Sequence, residues 1–322
     1  MKCNICYKED NFPKYKVKEM MFGLREEFEY FKCDSCGCLQ ILEIPSDMAK
    51  YYPNAYHSFL LNPENNNNIL KKILIKVRNN YAVLNKKGWP GKFLFNLYPR
   101  YDLKSVGYIP KLTKATSIID IGCGSGYALY DLKELGFKNI MGIDPYIDKD
   151  ILYKNGLKIL KKQLSELDTS TDVIMMHHVL EHLEDQHAAF KLVHSRLKED
   201  GIFLVRIPIS SSFSREKYRE NWVAWDAPRH FFLHTIKSIN FLANENSFEL
   251  ERVIYDSDEY QFWASEQYSK DIPLYNKNSH YKFQDNHKST FTNSEIKEFK
   301  KKAQELNEKE QGDAAVFILR KV

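Results

Sequence analysis

The 322 residues are 43% hydrophobic, enough for one sizeable α/β core with one or two smaller modules. The net charge of +4 comes from 47 basic and 43 acidic residues mixed along the chain, which is not the footprint of an obligate nucleic-acid binder. No apolar run approaches the roughly 20 residues that span a bilayer, and the start Met1-Lys-Cys-Asn lacks a leader's apolar core, so no membrane insertion is expected and the cytoplasm is the expected compartment.

Residues 1–50 read as a unit of their own. Cys3-x-x-Cys6 and Cys33-x-x-Cys36 are two thiol pairs, the second followed by Gly37. Four thiolates on two such knuckles match a tetrahedral, structural zinc site with no open position for a substrate. Two disulfides or unliganded thiols are the alternatives. Cys38 lies close enough to compete as a ligand, whereas Cys123 reads as a packing residue. Lysines and acids balance in this unit, which gives no reason to expect a nucleic-acid partner. Residues 51–108 form an aromatic and helical linker. Met48 to His57 holds several tyrosines and a histidine that either line an acceptor site or pack the module on the core. Asn68 to Asn85 carries apolar residues at helical intervals with a solvated basic face, and Gly88-Trp-Pro-Gly91 breaks the pattern.

Ser117-Ile-Ile-Asp-Ile-Gly-Cys-Gly-Ser-Gly126 organises the rest. A β-branched run ends in glycines at alternate positions and leads into Tyr127–Leu135, whose apolar residues recur at helical spacing, so the stretch reads as strand, tight turn and helix. Glycines there let the backbone take angles that Cβ forbids and let a ligand approach the main chain. Dinucleotide sites favour Gly-x-Gly-x-x-Gly under a pyrophosphate. Here Asp120 precedes Gly122, Gly124 and Gly126, an acid that repels phosphate and suits a positive amino or sulfonium group. The segment resembles motif I of the class I S-adenosylmethionine (SAM) dependent methyltransferases, and Ile140-Met-Gly-Ile-Asp144 resembles their next motif. The resemblance implies a Rossmann-like, seven-stranded, mostly parallel sheet whose last strand is antiparallel, with SAM bound at the glycine turn and Asp144 on its ribose hydroxyls. A nicotinamide-binding or purely structural Rossmann domain is the competing reading.

Strands are expected at 117–121, 139–144, 158–164, 172–177, 203–208, 249–256 and 314–321, alternating with helices in a domain of residues 109–322. Residues 257–311 are an insertion before the last strand, ending in a helix with the capping box Thr292-Asn-Ser-Glu295.

Ligands of such sheets bind at the carboxyl ends of the strands. At the third end, Leu164 backbone groups or the Gln163 side chain stand where many family members place an aspartate for the adenine. At the fourth, a helix beginning near His178 would put His178, Glu181 and His182 on one face, and the family resemblance implies His177 or His178 near the methionine moiety of SAM. Some ubiquinone and small-RNA methyltransferases resemble this with Glu-x-x-Glu-His and bind a divalent metal there; the alternative is loop and packing structure. After the fifth strand come Trp222, Trp225, Arg229, His230 and His234. Tryptophan faces stack on sugars and arginine forks onto phosphate, so these four, His230 apart, are candidate acceptor contacts. His230 is the candidate general base, with His178 the second candidate, and a packed lid is the competing reading.

The four-cysteine module, the class I core and Pro-Arg-His-Phe together resemble bacterial surface-polysaccharide and deoxysugar methyltransferases, including zinc-containing sugar C-methyltransferases. That resemblance implies methyl transfer to O or C of a nucleotide-linked sugar or glycan precursor. Metal-assisted O-methylation of an RNA 3' end or a phenol, and a non-catalytic zinc and SAM binding module, are the alternatives.

Overall fold

The computed structural model describes residues 1–52, 63–65, 68–84, 88–280 and 290–322. The N-terminal unit starts with the antiparallel strands β1 (Lys14–Lys18), β2 (Glu27–Lys32) and β3 (Leu39–Ile41). The central sheet then accumulates β4 (Ile118–Ile121), β5 (Ile140–Ile143), β6 (Ile151–Leu152), β7 (Lys158–Leu160), β8 (Thr171–His177) and β9 (Leu197–Pro208). β10 (Phe232–Leu233) returns to the N-terminal unit, and β11 (Phe248–Tyr255) and β12 (Ala314–Lys321) close the central sheet.

The central order is β11-β12-β9-β8-β4-β5-β7-β6. β7, β5, β4, β8 and β9 run parallel, and β12 inserts antiparallel between β9 and β11. This is the expected Rossmann-like sheet with one addition, the short β6 antiparallel to β7 at its edge. Parallel strands covered by helices on both faces need apolar side chains on both, and β4 (Ile-Ile-Asp-Ile) is buried throughout. Its aspartate, Asp120, is the one polar side chain in the strand. The chain passes from β4 to β5 on one side and later to β8 on the other, which puts the switch in strand order at the carboxyl end of β4.

Three boundaries differ from the pattern. β7 stops at Leu160 instead of 164, because Gln163 already caps the 3-10 turn Leu164–Glu166. β9 begins at Leu197 instead of 203, because Lys198-Glu-Asp-Gly, with Asp200 at φ 59°, is a charged bulge that hides the strand's first turn from a hydrophobicity reading. No helix starts at His178. That residue has φ 55°, a one-residue left-handed step, and Leu180–His182 form a 3-10 turn; the helix begins only at Gln186. The helices Ile69–Leu84 and Asn293–Glu308 form where expected, the latter with Thr292 and Glu295 capping each other's backbone.

The N-terminal unit is joined to the core through its own hydrogen bonding. Phe232 and Leu233 of β10 pair with Gln40 and Leu39 of β3, completing a four-stranded sheet. Thr235 Oγ1 donates to the Cys36 carbonyl at 2.6 Å, and the His187 Nε2–H donates to the Ile5 carbonyl at 2.8 Å. One hydrophobic cluster runs continuously from Cys3 and Phe12 through Trp222 and Phe232 to β8, β9 and β12.

Candidate active site

Gly122, Gly124 and Gly126 have φ of 67°, 56° and 75°, so the turn after β4 needs residues tolerant of the left-handed region. Space is equally restrictive: a Cβ on Gly122 would lie 2.5 Å from Val179 Cγ2 and one on Gly126 2.3 Å from Ile159 Cδ1. Gly126 is also the N-cap of the helix Tyr127–Glu134. Asp144, at the end of β5, accepts the Gly124 N–H at 2.9 Å and the Tyr146 N–H at 2.8 Å. A carboxylate has about four acceptor positions, so two remain for a diol such as ribose. Burial raises the Asp144 carboxyl, opposed by those two N–H groups. The donor set therefore fits SAM.

Asp120 is buried, and burial also raises its carboxyl. His177 faces it, Nδ1 to Oδ1 at 3.8 Å. Since Ser105 Oγ donates to the Asp102 carbonyl, the His177 Nε2–H donates to that hydroxyl at 2.7 Å. Leu164 opens a 3-10 turn and packs against the main cluster, while the Gln163 and Glu166 side chains cap that turn.

Beyond β8, Glu181 gathers the histidines. It is 1% exposed; Oε1 accepts from His178 Nδ1–H at 3.2 Å and lies 3.9 Å from His230 Nε2, and Oε2 is buried without a hydrogen-bond partner. Burial pushes this carboxyl up, but the His178 hydrogen bond and the neighbouring imidazoles hold it down at about 2. His178 Nε2 accepts from Arg206, whose Nε donates to Asp256 at 2.7 Å. A carbonyl can only accept, so the tautomers of the other two rings are fixed: His182 Nδ1–H donates to the Arg229 carbonyl and His230 Nδ1–H to the Ala224 carbonyl, each at 2.8 Å. In neutral His230 the Nε2 lone pair is left free, 3.7 Å from Asp226 Oδ2. The left-handed step at His178 thus replaces the helical face expected for His178, Glu181 and His182, and brings Glu181 to His230 instead.

The acceptor contacts expected at Trp222, Trp225, Arg229 and His234 are corrected: none is more than 1% exposed. Trp222 Nε1 donates to Asp313 and Trp225 Nε1 to the Arg219 carbonyl, with both rings packed in the core. Arg229 is spent on Asp226, Glu19 and the Tyr51 carbonyl. His234 lies between Gln186 and Ser238, and burial pulls it down to about 4, so it is a neutral packing residue. Tyr51, of the aromatic stretch, is buried against Glu26 and Phe28; residues 53–57 of that stretch lie outside the described residues. Nothing in the sequence points to Arg206, and only the spacing Asp226-x-x-Arg229-His230 hints at Asp226.

In the N-terminal unit the Cys3 and Cys36 sulfurs are 3.6 Å apart and those of Cys6 and Cys33 3.5 Å. That is far beyond a disulfide and close to the ~3.8 Å edge of a tetrahedron of zinc–thiolate bonds. Tyr7 and Gly37 occupy equivalent left-handed positions after each pair, donating to the Cys3 and Cys33 carbonyls. Cys3 Sγ also accepts from Gln40 Nε2 at 2.8 Å, the support a liganding thiolate needs. The cluster is compatible with zinc. Cys38 lies outside it, facing His234.

No curated protein sequence matches the chain. Among solved structures it is similar to a SAM dependent methyltransferase from Archaeoglobus fulgidus (17% identity over 73% of this chain and 100% of that one, TM-score 0.41). It is also similar to a possible histamine N-methyltransferase from Thermotoga maritima (16%, 76% and 99%, 0.43) and to magnesium protoporphyrin IX methyltransferase from Synechocystis (12%, 76% and 98%, 0.43). The family model described as "Methyltransferase domain" matches residues 92–253, half of the chain. The chain belongs to that family and is a SAM-dependent methyltransferase.

Proposed function

We propose that the protein methylates an oxygen or an acidic carbon of a nucleotide-linked sugar or glycan precursor, with His230 as general base. The observation that carries the proton-transfer half is the free His230 Nε2 between the Glu181 and Asp226 carboxylates. A proton taken there makes an imidazolium flanked by two negative charges, which favours removal from a hydroxyl or from the carbon beside a ketone. The sugar half rests on the likeness of the four-cysteine module and Pro-Arg-His-Phe to sugar methyltransferases. Asp144, Asp120 and the three glycines would hold SAM, which supplies the electrophilic methyl when bound. His177 would sit beside its methionine part and Leu164 beside its adenine. Cys3, Cys6, Cys33 and Cys36 would hold one structural zinc.

His230→Gln should lower methyl transfer from labelled SAM to a panel of nucleotide sugars by roughly 10²–10⁴-fold. SAM affinity should stay unchanged. Transfer at the wild-type rate would remove His230 from the chemistry, and no transfer to any member of the panel by wild-type protein would remove the sugar.

Asp144→Ala should weaken SAM binding by at least about a hundredfold in calorimetric titration, because the Gly124 and Tyr146 amides lose their acceptor along with the ligand.

A second reading has a specific observation behind it. Glu181, His182 and His230 offer ligand atoms within 4.8 Å of one another, and Glu181 Oε2 is buried and partnerless. A divalent ion held by these three would polarise an acceptor oxygen, using the lone pair that otherwise makes His230 a base. Activity lost on dialysis against a chelator too weak to strip thiolate-bound zinc, and restored by a divalent ion, would select this reading.

A further inference from the structure

We infer that the helices Ile69–Leu84 and Trp89–Leu97 form a docking surface for anionic phospholipid, on which the enzyme sits without inserting. The two pack together where Gly91 meets Tyr81 and Val77; a Cβ on Gly91 would fall 2.6 Å from Tyr81 Cβ. Their inner side, Asn79, Ala82 and Val83, is buried, and Ala82 and Val83 join the core cluster with Leu103 and Val106. The outer side is a different surface.

Ile69, Leu70, Ile73 and Leu74 form one stripe of the first helix, and Trp89, Phe93 and Leu97 one stripe of the second, continued by Tyr98. These eight side chains are 52–80% exposed and make up eight of the fifteen exposed large hydrophobics among the described residues. Scattered apolar residues are ordinary on a soluble protein, but concentration of half of them on two adjoining helices marks an interaction surface.

Charge selects the partner. Residues 69–100 contain eight lysines and arginines and no acid, so the chain's net +4 divides into +8 on these 32 residues and −4 on the rest; of the eight, Arg100 is spent inward, on Asp102 and Asp131. Lys71, Lys72, Lys76 and Lys92 are exposed, and no ion pair engages them among the described residues. Aliphatic side chains, a tryptophan and a tyrosine among unpaired lysines are what a headgroup layer accommodates: rings and lysines at the phosphates, Ile and Leu at the acyl boundary. A nucleic acid would use the lysines and leave Ile69, Leu70, Ile73 and Leu74 in water. No described helix is long and apolar enough to cross a membrane, so the contact is peripheral.

The inference does not depend on which acceptor is methylated, and it is tested on the full chain. Sedimentation with vesicles of equal parts phosphatidylcholine and phosphatidylglycerol should retain the protein at least roughly tenfold better than vesicles of phosphatidylcholine alone, with the difference shrinking at high salt. Ile73→Glu/Leu74→Glu and Lys71→Glu/Lys72→Glu/Lys76→Glu should each lose most of that binding while SAM affinity, read by calorimetry, stays at the wild-type value. Failure of the wild type to bind anionic vesicles would overturn the inference. So would a sedimentation coefficient showing a dimer that Ile73→Glu/Leu74→Glu dissolves, or binding to a homopolymeric RNA that survives Ile73→Glu/Leu74→Glu and outcompetes the vesicles.

Discussion

Replacing Arg229 with alanine should destabilise the protein by about 3–5 kcal/mol, a large part of what holds an ordinary domain together. The guanidinium is fully buried with Glu19, also fully buried, at 3.0 Å and Asp226 at 2.6 Å, and its Nη1 donates to the Tyr51 carbonyl. Removing it leaves two carboxylates facing each other away from water, each needing a proton or a route to solvent. The three partners come from the N-terminal unit, the residues just after it and the segment beyond β9, so the loss concerns a junction and not one element. Arg229→Lys should recover only part of the stability, because a single ammonium cannot fork to two acids and a carbonyl. Glu19→Gln in the alanine background should restore some of it by removing one stranded charge. Urea unfolding of the four proteins decides the matter, and an alanine variant within about 1 kcal/mol of wild type would show the triad to be dispensable.

Stripping zinc should be as severe but show a different signature. With zinc in the four-thiolate cluster, a strong chelator or Cys33→Ser should unfold the knuckles, since binding energy at structural zinc sites, about 10–16 kcal/mol in isolated fingers, is folding energy. The damage then spreads along named contacts. β3 loses its geometry, β10 loses its partner, and Thr235 loses the Cys36 carbonyl. His230 sits between Arg229 and β10, so it loosens too. Methyl transfer should fall by about a hundredfold or more, because misplacement of a catalytic group by an ångström is enough to cost that much. SAM affinity should change little, since the glycine turn and Asp144 stand on β4 and β5, across the sheet. Elemental analysis, a SAM titration and a transfer assay on the same sample check this. Full activity in protein with no zinc would disprove it.

What could be seen in the sequence was local. The glycine turn and the alternation of strands and helices rest on residues close along the chain, whose types backbone angle and periodicity demand, while Asp144 is singled out by the resemblance of its motif alone. The cysteine pairs are equally local. Most of the differences at the site involve residues whose role is set at long range. Trp222, Arg229 and His234 have the same chemistry whether they line a pocket or fill a core, and partners distant in sequence, Asp313, Glu19 and Gln186, help decide between the two. His178 reads as the first turn of a helix because spacing cannot reveal a single left-handed residue. Glu181 and His230 could not be paired at all, as nothing in the chain between them announces that the segment after β9 folds back over β8.

The borrowing of β10 by the N-terminal sheet also shapes how the chain is made. β3 leaves the ribosome with one edge unpaired, and its partner follows roughly 190 residues later, about 10–40 s at ordinary synthesis rates. Through that interval Leu39, Gln40 and Ile41 offer free backbone donors and acceptors beside buried-type side chains, the kind of edge that recruits another chain. A nascent chain truncated anywhere between β3 and β10 should therefore associate with its neighbours, and the full-length chain should need its own residue 232 to arrive before it is safe from them.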